Sequence, residues 1–418
     1  MTFNSSNKLI NDAYKWACET ALSYVVENRK KSPCYEASLP NREAYCMRDM
    51  SHQALGAHYL GLDAHNKNMI LQFCKNISES KDFCTFWEIT FDGDPCPCDY
   101  KNDSDFWYNL PANFDVMRMC DYLYEITGDK DYLTKPEMKN FHELSVTKYI
   151  NRWDRDGDGI VDRVDSDHIR GICSYHEGNG TNGCKTAGDT VALQYHGYMT
   201  AAKMYGLTGE KEKQSDAYNK AQAVRQFFYE KFLFGDHFAN QIDKEDREAG
   251  EFTITKSAFP VICGIIDKPE DVKMQLKYIL SHGFGLNIEE LTYMAAFLFA
   301  NGYDEEALTV MLDISAPGRY RREYPEVSYS VAGDIVSGYM GISPSFSEKT
   351  IRTRFGGGDD LAKIEDVPVF GGTIDLEHNG KSQSSLKNNT PFTVNWEATV
   401  NGKTTVLTLF PGDKKAIG

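Results

Sequence analysis

Apolar residues recur with helical spacing from residue 5 to residue 341. Leu291, Met294, Ala295 and Leu298 follow the i, i+3, i+4, i+7 rhythm of one buried helical face, and Val191, Tyr195, Tyr198 and Ala202 do the same. The pattern predicts twelve helices, starting near Asn7, Ser51, Ala64, Asp105, Lys130, Asp189, Glu210, Ser257, Glu270, Glu289, Asp304 and Tyr329. Their connections alternate in length. Tight turns follow the even helices, among them Gly61-Leu62-Asp63, Thr127-Gly128-Asp129, Thr208-Gly209-Glu210, Asp267-Lys268-Pro269 and Asn301-Gly302. Glycine at a helix end, or proline just beyond it, is what a helix stop requires. The phrases Tyr-Glu-Ile-Thr-Gly-Asp (124–129) and Tyr-Gly-Leu-Thr-Gly-Glu (205–210) read as one stop used twice, a weak repeat of a helix-pair unit.

Most connections after the odd helices are long: 28–50, 81–104, 151–188, 233–256 and 314–328, with a short one near 283–288. Six antiparallel pairs with their long loops at one end describe a ring of hairpins with a plain rim and a working rim. From about Thr350 the period changes to two. Val367 to Phe370, Thr373 to Leu376, Phe392 to Trp396 and Thr405 to Leu409 are short alternating segments separated by Gly and Asn turns. The expected architecture is mainly α: an (α/α)6 barrel over 1–349, followed by a small antiparallel β-sandwich over 350–418.

The chain has 418 residues, 41 % hydrophobic and 25 % charged, an ordinary globular composition. Its net charge of −16 disfavours nucleic acid as a partner, because phosphate neutralisation needs a basic face. No apolar run approaches the roughly 18 residues of a membrane helix. The start of the chain has no basic segment followed by an apolar one. The expected location is therefore cytoplasmic, or periplasmic or secreted if a signal peptide has been removed. Eleven cysteines is an odd number, and a mostly reduced set of buried thiols is the simplest reading. Cys96-Pro97-Cys98 has the look of a metal or redox clip, but no second pair lies at zinc-site spacing.

The working rim carries the chemistry. In the first long loop Arg48 and Asp49 stand at a helix start, as an N-cap with a surface partner or as a guanidinium and a carboxylate gripping sugar hydroxyls. The second holds Trp87, Glu88, Asp92, Asp94, Asp103, Asp105 and Trp107, aromatics for sugar faces among acids for hydroxyls. In the third, Asp154, Asp156, Asp158, Ile160, Asp162 and Asp165 fall at positions 1, 3, 5, 7, 9 and 12 of a calcium loop, with Gly159 at 6 and Asp in place of Glu at 12. The alternative is a solvated Asp-Gly turn. Farther along, Glu177 follows Tyr175 and His176 and precedes glycine; such surroundings desolvate an acid and suit it to give a proton. Asp189 reads as an N-cap. The last long loop puts Glu323 and Glu326 among arginines and tyrosines, as a base or as surface ion pairs. Two carboxylates are the minimum for glycoside hydrolysis, and inverting enzymes hold them about 6.5–9.5 Å apart.

These residues together resemble the six-hairpin (α/α)6-barrel glycosidases over residues 5–418. Tyr45-Cys46-Met47-Arg48-Asp49 is similar to the Trp/Tyr-x-x-Arg-Asp signature of glucosidase-like members, and Asp156-Gly157-Asp158-Gly159 to a segment that precedes their catalytic acid. The stretch from Gly338 to Pro344 and the β segments around Gly371-Gly372 and Trp396 look like the barrel end and C-terminal sandwich of α-L-rhamnosidases. In that subfamily the acid lies in a Pro-x-Arg-Asp-Glu-Arg run, which Pro40-Asn41-Arg42-Glu43 matches in part, one residue short. The resemblance implies an exo-acting, inverting glycoside hydrolase with a carbohydrate substrate. Glu177 or Glu43 is then the acid and Glu326 or Glu323 the base. Arg48, Asp49, Trp87, Asp105, Trp107, Tyr175 and His176 hold the sugar. No cofactor is needed for the reaction, and calcium is the expected structural metal. A lyase or epimerase on the same barrel, with His52, His176 or Tyr175 as base, and a non-catalytic glycan-binding protein are the competing readings.

Overall fold

The computed structural model describes residues 1–163, 170–176, 183–285 and 287–418; Asp165 and Glu177 lie outside the described residues. Among those described, six helical hairpins form the body of the molecule. The outer helices are α1 (Lys8–Ser23), α3 (Asp63–Lys75), α5 (Pro136–Leu144, continuing to Trp153), α7 (Lys211–Phe232), α9 (Pro269–His282) and α11 (Asp304–Ser315). The inner helices are α2 (Met47–Tyr59), α4 (Ala112–Thr127), α6 (Gly188–Thr208), α8 (Ile254–Ile262), α10 (Ile288–Ala300) and α12 (Pro325–Asp334, continuing to Tyr339).

Sequence decides which helix goes where. In α7 only Ala217, Ala221, Val224, Phe228 and Phe232 are buried, a single stripe at helical spacing. Every residue of α12 from Pro325 to Asp334 is buried, as a helix surrounded by others requires. The inner helices touch in sequence, α2 to α4, α6, α8, α10 and α12, and α12 returns to α2, so the ring is closed. At that last contact the backbones meet: a Cβ on Gly56 would stand 2.0 Å from the Tyr329 carbonyl oxygen. Only glycine fits there.

Several boundaries differ from the periodicity. The fourth helix starts at Ala112, not near Asp105, because Asp105–Phe106 pairs with Tyr100–Asn102 and Tyr108–Asn109 with Arg170–Ile172. The fifth resumes at Pro136 after a short turn at Asp131–Thr134, with proline in the first helical position, where its missing N–H costs nothing. α2 starts at Met47 and α12 at Pro325, one turn earlier than expected. This shift moves Arg48, Asp49 and Glu326 from loops into first helical turns.

Two sheets follow the barrel. One has the order β1 (Thr2–Ser5), β6 (Leu361–Val369), β7 (Gly372–Asn379), β8 (Gln383–Asn388), β11 (Lys414–Ile417); the other runs β4 (Ile342–Ser345), β5 (Thr350–Arg354), β9 (Val394–Val400), β10 (Lys403–Leu409). The sandwich thus takes in strands from before Thr350, including the start of the chain. Its pairing is antiparallel except between β5 and β9, which run parallel. On the working rim, β2 (Ala44–Cys46) and β3 (Glu88–Thr90) zip the first two long loops together. Among the described residues no helix is long and apolar enough to cross a membrane.

Candidate active site

A cavity of about 270 Å³ opens on the working rim, and its wall includes Arg42, Arg48, Asp49, Gln53, Trp87, Glu88, Asp99, Trp107, Glu289, Tyr324 and Glu326. Three inner helices aim their N-terminal ends at it. Asp49 lies in the first turn of α2, Glu289 in that of α10 and Glu326 in that of α12. Helix N-termini carry partial positive charge, which favours carboxylates at these positions. Strand pairing sets the opposite wall: Cys46 faces Glu88 across β2 and β3, which brings Trp87 and Glu88 beside Arg48 and Asp49.

One side of the pocket is organised around an arginine. Arg48 Nε lies 3.2 Å from Asp49 Oδ1 and its Nη2 3.5 Å from Glu289 Oε2. Arg321 Nη1 approaches the other Glu289 oxygen at 3.4 Å. Glu326 is 5 % exposed. Burial, then the neighbouring Asp49 and Glu289 charges, push its carboxyl well above the usual range, against the pull of Arg48. Gln53, with its amide oriented to satisfy both groups, accepts from the Glu326 N–H at 3.0 Å and donates to the Glu36 carbonyl at 3.2 Å.

The other side centres on Glu88, which is 1 % exposed. Its Oε2 accepts from Arg42 Nη1 at 2.9 Å, while Oε1 is buried with no hydrogen-bond partner. Burial and the adjacent Asp99 push Glu88 up to about 7, and Arg42 opposes them. The pocket therefore contains a carboxyl group that can give or take a proton near neutral pH, the condition acid–base catalysis favours.

Of the residues expected from sequence, Arg48, Asp49, Trp87, Trp107 and Glu326 are brought together here. Glu43 is not in the wall; it lies in an exposed turn with φ of 52° and pairs with Arg29 at 3.1 Å. Glu323 also stands apart, its main-chain carbonyl accepting from Tyr24 Oη. Asp105 pairs with Lys101 at 2.9 Å. Tyr175 is buried behind Trp87, ring centres 6.5 Å apart, and donates to Asp115 Oδ2 at 3.0 Å. His176 lies 3.9 Å from Glu290. Asp189 is not the cap of α6, a position held by Ala187. Its carboxylate instead accepts from Ser174 Oγ and the Tyr175 N–H at 2.8 and 2.9 Å, fastening that loop to the helix. Cys173 and Cys184 form a disulfide, and the other nine cysteines are free.

Sequence reasoning left Asp99 and Glu289 out, placed Glu88 only among the hydroxyl-binding acids of its loop and gave Arg42 no role of its own. The Glu289-Glu290 pair had the signature of ordinary first-turn acids. Glu88 gave one signal, its place directly after a tryptophan.

The aspartate loop is a second acidic centre. One carboxylate oxygen from each of Asp154, Asp156, Asp158 and Asp162 lies within 4.8 Å of the others. Asp154 accepts from the Gly157 and Gly159 N–H groups at 2.8 and 3.0 Å, and Asp158 from that of Ile160 at 2.9 Å. Lys185 Nζ sits 2.6 Å from Asp156 and 2.9 Å from Asp158. Asp162 is 2 % exposed, and neither of its oxygens has a hydrogen-bond partner. A buried carboxylate without a partner is costly, and four converging carboxylates with one lysine fit a calcium ion.

No family model matches the sequence, and no curated protein matches it. Solved structures do. An α-L-rhamnosidase from Dictyoglumus thermophilum superposes with a TM-score of 0.65 at 17 % identity, over 99 % of this chain and 50 % of that one. One from Aspergillus terreus gives 0.63 at 12 % identity, over 100 % and 50 %. A putative kojibiose phosphorylase from the human microbiome gives 0.63 at 9 % identity, over 99 % and 62 %. The chain spans about half the length of the rhamnosidases it matches. At these identities the likeness establishes the fold: the helical barrel with an appended sandwich that the sequence resembles.

Proposed function

We propose that the protein is a glycoside hydrolase that removes a terminal sugar with inversion. One observation carries the reading: carboxyl groups from separate elements, Glu88 on β3 and Asp49 with Glu326 in the first turns of α2 and α12, meet in a single pocket walled by Trp87 and Trp107. Rhamnosidases and a phosphorylase on the same fold support glycoside chemistry. Glu88 is the proton donor. Its proton goes to the glycosidic oxygen as the C1–O bond breaks and the bonding pair passes to that oxygen. Water attacks C1 from the opposite face and yields a proton to a carboxylate on the Asp49 and Glu326 side of the pocket. Arg48, 3.2 Å from Asp49, supplies the counter-charge on that side and grips sugar hydroxyls. A pocket of about 270 Å³ closed below by inner helices suits a chain end, which supports exo action. Glu323 and Glu43 take no part. Glu177 lies outside the described residues and has no role in this scheme. The lyase or epimerase reading has less support: half-buried His52 stacks on Tyr293 with ring centres 3.7 Å apart, Tyr175 is bound to Asp115, and His176 faces Glu290 at 3.9 Å.

A hydrolysis screen across glycosides, with NMR of the first anomer released, tests this. Release of the anomer opposite to the bond cleaved supports it. A retained anomer, an unsaturated product, or cleavage undiminished in both Glu88→Gln and Glu326→Gln sinks it.

We also propose that the aspartate loop holds calcium through Asp154, Asp156, Asp158, Asp162 and the Ile160 carbonyl. The ion supplies charge neutralisation outside the pocket and no step of the reaction.

A further inference from the structure

Cys96-Pro97-Cys98 gains in three dimensions what it lacks in sequence. The two sulfurs lie 3.2 Å apart. Cys98 Sγ is 3.3 Å from Asp99 Oδ2 and 3.6 Å from Glu88 Oε2. One ligand atom each from Glu88, Cys96, Cys98 and Asp99 lies within 4.8 Å of the rest. In a tetrahedral zinc site, with Zn–S about 2.3 Å and Zn–O about 2.0 Å, ligand atoms are about 3.3–3.8 Å apart. The two sulfur–oxygen separations are already close to that range, and the sulfurs need to part by only about 0.6 Å. The main chain fixes the cluster: the Cys96 N–H donates to the Glu88 carbonyl at 3.0 Å, and the Asp99 N–H to the Cys96 carbonyl at 3.1 Å. Glu88 itself is 1 % exposed, with Oε2 toward Cys98 and Oε1 buried with no hydrogen-bond partner.

We propose that Glu88, Cys96, Cys98 and Asp99 form a binding site for a thiophilic divalent cation of the zinc type, and that its occupancy shuts the enzyme off. On binding, both thiols release their protons to solvent and become ligands. Two thiolates and two carboxylates carry four negative charges. The cation and Arg42, which stays 2.9 Å from Glu88, leave a net of one. The solvent-exposed Cys98 gives the ion its way in. The inhibitory half rests on the function proposed above: Glu88 lines the sugar pocket, and a carboxylate bound to a cation is withdrawn from the substrate.

The test is a Cd2+ titration of the full chain under a non-thiol reductant, following the thiolate-to-cadmium absorption in the ultraviolet, beside Zn2+ inhibition of hydrolysis. One Cd2+ per chain is expected. The Cys96→Ser/Cys98→Ser double variant, checked for wild-type circular dichroism, should bind more than about 100-fold more weakly, beyond what loss of an outer partner costs. It should also hydrolyse substrate in zinc that stops the wild type. No saturable band, or an equal band in the double variant, overturns the site. A band with hydrolysis untouched by zinc leaves the site standing and overturns the inhibition, while the activity of Glu88→Gln separately decides the role given to Glu88.

Discussion

Two acidic clusters share the working rim and are built in opposite ways. In the aspartate loop, Asp154, Asp156, Asp158 and Asp162 come from nine consecutive residues, and three of them are held by main-chain amides or one lysine. In the pocket, Asp49, Glu88, Glu289 and Glu326 come from four distant segments and are held by guanidinium groups and helix N-termini. The first arrangement is a cage that a hard cation completes. The second leaves carboxyl groups with different proton affinities facing one cavity, which is the arrangement acid–base chemistry uses. Charge density alone does not separate them; the counter-charges and the neighbouring tryptophans do.

Substitutions should separate the clusters by size of effect. Glu326→Gln should lower hydrolysis by ~10²–10⁴-fold, the usual loss when a positioned acid or base is removed, with the melting temperature little changed; initial rates against circular-dichroism melts check it. Arg48→Leu removes the charge that holds Asp49 and Glu289 and should cost on the order of 10²-fold, with KM rising as well as kcat falling. Asp162→Asn should leave the rate within about twofold, since the loop lies outside the pocket.

The clusters should also respond differently to pH and to calcium. Glu88 gives its proton up as pH passes about 7, so hydrolysis should fall above that value. Asp99→Asn removes a neighbour that raises Glu88 and should move this limb down by about one pH unit; a pH–rate profile of both proteins checks the direction. Between the unfolded carboxyl value near 4.3 and about 7, folded Glu88 keeps a proton that the unfolded chain has lost. Its contribution to stability therefore declines as pH rises through that window. Calcium at 100 times its Kd should stabilise the wild type by about 2.7 kcal/mol, read as a melting shift of several degrees that a chelator reverses. Asp162→Asn should abolish that shift.

The same contrast explains what was legible in the sequence. Helical periodicity with alternating loop lengths was enough for the barrel, because each inner or outer helix writes its burial into its own residues, as α7 and α12 do. The aspartate loop was legible because all its ligands are neighbours in the chain. Arg48 and Glu326 were found through their motif and their loop, but their placement in first helical turns was not. Glu88 was passed over because its character is tertiary: it depends on Cys46 pairing opposite it, on Asp99 folding back, and on Arg42 reaching across from another loop. The pair Cys96 and Cys98 was set aside for the same reason, since its two oxygen partners are fixed by the fold of β3 and not by spacing.

Leaving-group dependence shows whether Glu88 gives the proton. Glu88→Gln is compared with the wild type on a glycoside whose departing alcohol needs protonation and on an aryl glycoside whose phenolate departs unaided. With Glu88 as donor the loss is ~10²-fold or more on the first and much smaller on the second, with the alkaline fall in rate gone. Equal losses on both substrates, or a rate profile that still falls near pH 7, would contradict it.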